Sequence, residues 1–552
     1  MNTTLHNPTE YCAAVGSDWV TPSKLRPLYF DDPASIWLEH HGPAHGLLPD
    51  EPEYSMLAFR AEKGHQFETV WLARVAPEAV QVCGEPWEGR EPQRVRESLE
   101  LMRRGVPVIA QPALWWPAER IYGVPDLLVR ASWLAQRFPH LLDQTDQPDH
   151  YMALDLKFSR GLDQSDRRPS RDCYEGQVRL YSYILGHIQG YMPRHAWLVT
   201  RDQPLQPRPV RLHSTMGAPL DSDLARLRDR YLEIRFRGAD MLPWHDDAVA
   251  PNYDHDDERW YSARAAIAAR VPGGDLRRLW QIGRAAKRQL RASGIDSLEA
   301  LLAVEFDQLP ANALRRPEQM RAILQANRSG QAVVRPGAAP PPQRHEFFVD
   351  FEFFSNFNVD IEREWPDLQG TPMIFLIGVG WTERGQWRYQ QLAATAEHHA
   401  AERQLLDAFL GLLRELSGDN LRDCALYHWH NAEPRHLRAA ADRHRLALAH
   451  PLRRLPWRDL EQICIDNACA VPGAWGYSLK GFANALSAYA PDYDARWPRG
   501  ISDGGQAQLV GWHAYRQPDP LRSREMQILA AYLEADCRAV WQILRWLRHT
   551  AS

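Results

Sequence analysis

Four carboxylates and a lysine stand out by their spacing. In His150-Tyr-Met-Ala-Leu-Asp-Leu-Lys-Phe-Ser159, Asp155 and Lys157 are two residues apart, and in Glu346-Phe-Phe-Val-Asp-Phe-Glu-Phe-Phe354 so are Asp350 and Glu352. Side chains two apart on a strand share a face, so each segment gathers charge on one side. Asp126, in Tyr122-Gly-Val-Pro-Asp126, adds a carboxylate at a Gly/Pro turn leading into an apolar stretch. Phosphodiester hydrolysis needs a divalent ion to neutralise the phosphate and lower the pKa of water, and a group to position that water. Two carboxylates and a lysine are the minimum parts. Asp350 and Glu352 on one sheet face repel unless protons or cations relieve them, so that pair also suggests a metal. Gln177 and Tyr181 lie four apart in Gly-Gln-Val-Arg-Leu-Tyr-Ser-Tyr, as do Tyr532 and Asp536 near the C-terminus. A helix presents each pair on one face.

The elements that must position these groups follow from periodicity. Met152, Leu154, Leu156 and Phe158 alternate with Ala153, Asp155, Lys157 and Ser159, and Phe347, Val349, Phe351 and Phe353 alternate with Asp350 and Glu352; both patterns predict strands. Residues 373–381 and 387–392 read as two more strands, followed by a helix from about Glu397, a strand at Cys424–His428 and a terminal helix. Between 272 and 309, Leu276, Leu279, Ile282 and Leu290 are spaced for one helical face, Ser293-Gly294-Ile295 breaks the run, and Leu298, Leu301 and Leu302 resume it. Ser329–His345 concentrates proline, glycine and alanine without periodicity and reads as a linker. The domain reading is therefore 1–250 α/β, 251–328 a small helical hairpin module, 329–345 linker, and 346–552 α/β.

The first set of motifs resembles the RecB-like branch of the PD-(D/E)xK nuclease superfamily, with a restriction-endonuclease-like fold. Gly64-His-Gln-Phe-Glu68, Gly123-Val-Pro-Asp126, Asp155-Leu-Lys157 and the Gln177 and Tyr181 helix occur in family order over about 120 residues. The resemblance implies that Glu68, Asp126 and Asp155 hold magnesium or manganese, that Lys157 orients the attacking water, and that Gln177 and Tyr181 contact substrate or the lysine. Some relatives carry a four-cysteine iron-sulfur cluster, but the Cys-Pro pair is here Tyr29-Phe-Asp-Asp-Pro33 and only Cys173 lies near the downstream group. No iron-sulfur cluster is expected. The second set resembles the RNase H-like DEDD exonucleases, through Asp350-x-Glu352, three leading strands and Tyr532-x-x-x-Asp536. That likeness implies Asp350, Glu352 and Asp536 as metal ligands and Tyr532 as the group bonding the attacking water. Glu433 is the favoured remaining acid, with Asp459 the alternative. Residues 279–295 are similar to helix-hairpin-helix units, which bind phosphates; Lys287 there, and Lys480 in Tyr477-Ser-Leu-Lys480, are candidate substrate contacts.

Composition sets the outer limits. A chain of 552 residues with 44% hydrophobic and 24% charged residues is globular in type and long enough for three or four compact units. No apolar run approaches a membrane span of about 20 residues, and the polar start lacks the order of a secretion signal; a cytoplasmic protein without membrane partners is expected. The seven cysteines include no C-x-x-C pair, against a zinc ribbon or disulfide framework. Net charge is -5, so no bulk basicity marks a nucleic-acid partner. Of 65 basic residues only five are lysines. The reading is a two-headed, divalent-metal nuclease acting on nucleic acid, DNA before RNA by family likeness. The competing class is a nucleic-acid-binding adaptor with a non-catalytic second half, or an RNA-processing exonuclease.

Overall fold

A computed structural model describes residues 15–141, 150–164, 167–213, 222–253, 255, 257–310, 315–498, 501 and 503–551. It divides into two compact units. The first takes in the described residues of Met1–Asp50, Leu57–Ile267 and Asp360–Leu368, the second those of Glu51–Met56, Ala268–Val359 and Gln369–Ser552. No helix among the described residues is long and apolar enough to cross a membrane.

The first unit is built on a six-stranded mixed sheet of β1 (Val80–Gln81), β2 (Val108–Ala110), β5 (Leu127–Arg130), β6 (Tyr151–Leu156), β7 (His195–Val199) and β8 (Arg208–Arg211), in that order; β3 (Leu114–Trp116) and β4 (Ile121–Gly123) form a separate antiparallel pair. Helix α1 (Met56–Val75) precedes the sheet, and α2 (Arg168–Gln189) connects β6 to its parallel neighbour β7. A proline in its first turn and left-handed Gly190 after its last residue bound α2. All six residues of β6 are buried, because both faces of this central strand are covered. The strand expected from the alternation is present, and Asp155 on it is as buried as its apolar neighbours, at 1% exposure. Lys157 lies just past the strand, its backbone N–H continuing the ladder to Val199 O at 2.8 Å.

The second unit holds a five-stranded sheet in the order β11 (Gln386–Ala393), β10 (Met373–Glu383), β9 (His345–Phe354), β12 (Cys424–His428) and β13 (Trp457–Asp459). The first two pairings are antiparallel, the last two parallel. Strand β9 is central and covered on both faces, with Phe351 against Phe409 and Trp457 and Phe348 against Trp387 and Tyr427. The helical region supplies α3 (Arg284–Ala292) and α4 (Pro317–Ser329), and its apolar residues share one core with the sheet. Helices α5 (His399–Ser417), α6 (Ala432–Arg443), α7 (Leu460–Asp466) and α8 (Leu479–Tyr489) follow, and α9 (Arg524–Thr550) closes the chain behind its N-cap, Ser523, whose side chain accepts from Met526 N.

The segment expected as a linker does not run free. Val333 and Ala470 exchange backbone hydrogen bonds of 2.9 Å in both directions, Ala338 is buried, and Arg548 Nε donates to Pro340 O. Its prolines and glycines prevent a regular element, but fixed backbone partners hold an irregular segment in place.

Candidate functional site

Each unit gathers one cluster of the chemistry-bearing residues. In the first, Asp126 and Asp155 come from neighbouring antiparallel strands, where Leu127 pairs with Leu154. The Asp126 N–H donates to Asp155 Oδ1 at 3.2 Å, and Asp126 Oδ2 accepts from Leu156 N at 2.7 Å. Lys157 Nζ stands 2.8 Å from Asp155 Oδ2 and 3.8 Å from Asp126 Oδ2. Burial opposes the ammonium charge, but the two carboxylates outweigh it and hold Lys157 well above the usual lysine range. One ammonium cannot satisfy two acids: burial and the Asp155 charge push Asp126 well above the carboxylate range. Glu68, on α1, is raised by its own burial and by Asp155, with Lys157 opposing. On α2, Gln177 Nε2 donates to the Tyr181 hydroxyl at 3.0 Å, and burial followed by the Asp155 charge raises the Tyr181 phenol. Tyr181 fits only because residue 123 is glycine; a Cβ there would meet its ring at 2.4 Å. All six expected residues therefore fall in one neighbourhood.

In the second unit, β9 offers Asp350 and Glu352, α6 offers Glu433 from its first turn, and α9 offers Tyr532 and Asp536. Asp350 and Glu433 share a hydrogen bond, which requires a proton on one of them. Burial, then Asp536 and Glu433, push Asp350 well above the carboxylate range; burial and Asp350 do the same to Glu352. Burial carries Glu433 up to about 8. Asp536 is raised to about 6 by burial, against hydrogen bonds from Trp497 and Tyr532. Lys480, on α8, is lowered by burial and faces Asp536, Asp503 and Glu352, with Nζ 4.7 Å from the Tyr532 ring centroid.

Asp459 caps α7, accepting from Gln462 N at 3.1 Å, and so fills the role of a helix start. Lys287 departs from its expected role as a substrate contact. Its ammonium is buried and turned to Asp275 at 3.5 Å, which also binds Arg277, because a deeply buried carboxylate in the helical region needs countercharge. The histidines of 428–436 do not converge: His428 Nδ1 donates to His430 O, His430 turns to Glu461, and His436 stacks on Phe353.

One residue beside the site, Trp497, escapes a reading of spacing. Trp497 Nε1 donates to Asp536 Oδ1 at 2.7 Å from an irregular segment whose only signal is a tryptophan among charged residues. His428 Nδ1 lies 3.3 Å from Glu433 Oε2, yet its proton serves the His430 carbonyl, so that buried carboxylate oxygen accepts no hydrogen bond. The first unit also groups Asp32, His255 and Asp257 closely enough to hold an ion. There Arg264 already bridges Asp32 and Asp257, so the group is an ion-pair network with its own cation. The described cysteines of the first unit are Cys83 and Cys173, both buried; Cys12 lies outside the described residues.

Residues 358–548 match the model of a family described as the RNase H superfamily. The match spans Glu433, Lys480, Tyr532 and Asp536 and begins just after the strand that carries Asp350 and Glu352. Comparison with curated proteins and comparison with solved structures give no match.

Proposed function

We propose that the chain is a divalent-metal-dependent nuclease that hydrolyses phosphodiester bonds in nucleic acid, DNA by family likeness, with a RecB-like PD-(D/E)xK site in the first unit and a DEDD exonuclease-like site in the second. The observation that carries the reading is the convergence of three buried acids, Glu352, Glu433 and Asp536, with the partly exposed Asp350, within and beside the residues matched to the RNase H superfamily. Raised carboxyls that act on one another, one with an oxygen that accepts no hydrogen bond, would offer the all-oxygen donors that magnesium and manganese take. Glu68, Asp126 and Asp155 would hold the ion of the first site. A bound ion would supply charge neutralisation and a more acidic water.

The chain's own residues have separable tasks. Lys157, keeping its proton between Asp155 and Asp126, offers N–H donors that position a water or phosphate oxygen. Gln177 orients the Tyr181 hydroxyl beside it. In the second site Tyr532 places its hydroxyl next to Asp536, Trp497 fixes the rotamer of that carboxylate, and Lys480 presents positive charge to incoming phosphate.

The test is cleavage of labelled single-stranded and duplex DNA and of RNA, with magnesium, manganese or chelator, comparing wild type with Asp155→Ala and Asp350→Ala. Activity that needs the ion and falls in each variant is expected. Metal-independent cleavage, or cleavage untouched by both changes, would overturn the assignment.

A further inference from the structure

Helix α7 ends in a turn that brings two thiols together. Ala468 is left-handed at φ 48, Cys469 N donates to Cys464 O at 2.9 Å, and Ala468 N donates to Ile465 O at 3.0 Å. These are the two bonds of a Schellman ending, a motif in which the side chain after the left-handed residue packs on the one five positions earlier. Here both of those side chains are cysteines, and both are fully buried. The 2.9 Å bond caps the separation of their α-carbons near the upper end of the window of about 4.4–6.8 Å that a disulfide spans. The Tyr477 hydroxyl, also buried, has no hydrogen-bond partner and feels the charge of both sulfurs. The neighbouring Cys469 sulfur raises Cys464, while Cys464 and then Arg335 lower Cys469.

We infer that Cys464 and Cys469 form a reversible dithiol–disulfide site, oxidised by a small peroxide. The Cys469 thiolate attacks hydrogen peroxide: an S–O bond forms, the O–O bond breaks, and the departing hydroxide takes the proton given up by Cys469 and leaves as water. Cys464 sulfur then attacks the sulfenic sulfur, the S–S bond forms as S–O breaks, and the second hydroxide leaves as water with the Cys464 proton. The two thiols are oxidised and one peroxide is reduced to two waters. Cover over both sulfurs slows every oxidant, but least a peroxide, which is hardly larger than water; a disulfide such as oxidised glutathione needs a larger opening of the fold to reach them.

The experiment treats the full native chain with hydrogen peroxide, alkylates remaining thiols after denaturation, and maps the peptides. The expected result is loss of both alkylatable thiols at Cys464 and Cys469, a link between them, and full return with dithiothreitol. In Cys469→Ser the same peroxide dose should leave Cys464 alkylatable. Oxidised glutathione at equal dose should leave the wild-type pair free. The inference is overturned if the pair stays alkylatable under peroxide, if Cys464 is lost equally in Cys469→Ser, or if oxidised glutathione links the pair as fast as peroxide does.

Discussion

At the scale of single residues, the two clusters differ in how their charge is balanced. Asp155 has an ammonium at 2.8 Å, whereas the acids of the second unit lean on protons and on one another. Asp155→Ala or Lys157→Ala should reduce first-site cleavage on the order of a hundredfold or more while leaving thermal unfolding within a few degrees, because each removes a positioned group rather than packing. Lys157→Arg should fail as well, since a planar guanidinium does not reproduce a compact ammonium between two carboxylates. Trp497→Phe keeps the ring but loses the bond to Asp536, and a loss of about 10- to 100-fold in second-site activity or manganese affinity is expected, as for other residues that orient ligands. A change below twofold would remove Trp497 from the site. The raised carboxyls also set a pH dependence. Glu433 moves from 4.5 to about 8 and Asp536 from 3.8 to about 6 on folding, so the folded chain holds protons that the unfolded chain releases. Their contribution to stability is complete below about pH 4 and is lost as pH rises through 6 and then 8. Metal-free protein should therefore show a falling melting temperature across that window, partly restored by manganese, and Glu433→Gln should flatten the fall.

At the scale of elements, the strands and helices that carry the acids are legible in the sequence, because apolar spacing fixes them. The 424–428 strand has the expected bounds, strand β9 begins one residue before the expected Glu346, and α9 contains Tyr532 and Asp536 as the helical spacing requires. The alternation around Asp155 announces the strand but not the burial of Asp155, because a strand covered on both faces buries its polar positions too. Lys287 misleads for a related reason: its partner Asp275 lies twelve positions earlier, and no local spacing announces the pairing. Trp497 comes from a stretch without period, so only the folded chain brings it to Asp536. Glycines separate steric from conformational needs. Gly123→Ala should displace Tyr181 and cost about 1–3 kcal/mol by overpacking, with first-site activity falling alongside. Gly64→Ala, within α1 and with nothing inside 4 Å of the added methyl, should instead stabilise by about 0.5–1 kcal/mol. Urea titrations of both variants check the pair, and equal effects would mean that the Tyr181 contact is unimportant.

At the scale of the whole molecule, the second unit begins well before its sheet. Trp280 N donates to Trp475 O, Gln319 Nε2 to Ile465 O and Asn327 Nδ2 to Ala474 O, so the helical region and the Pro/Gly-rich segment are parts of one core. A fragment starting at His345 should melt roughly 10 °C or more below one starting at Ala268, or fail to stay soluble; equal melting would restore the picture of a free tether. The placement of the lysines has a practical outcome for the intact chain. Lys63 is 6% exposed, the side chains of Lys157 and Lys287 are 18% and 7% exposed, and Lys480 is half-buried, while the side chain of Lys24 is 41% exposed. A protease that cuts only after lysine therefore finds Lys63, Lys157 and Lys287 covered as long as the protein stays folded. A cut at Lys63 or Lys157 reports an opening of the first unit and a cut at Lys287 an opening of the second, so the band pattern of such a digest would time the unfolding of each half in a single tube.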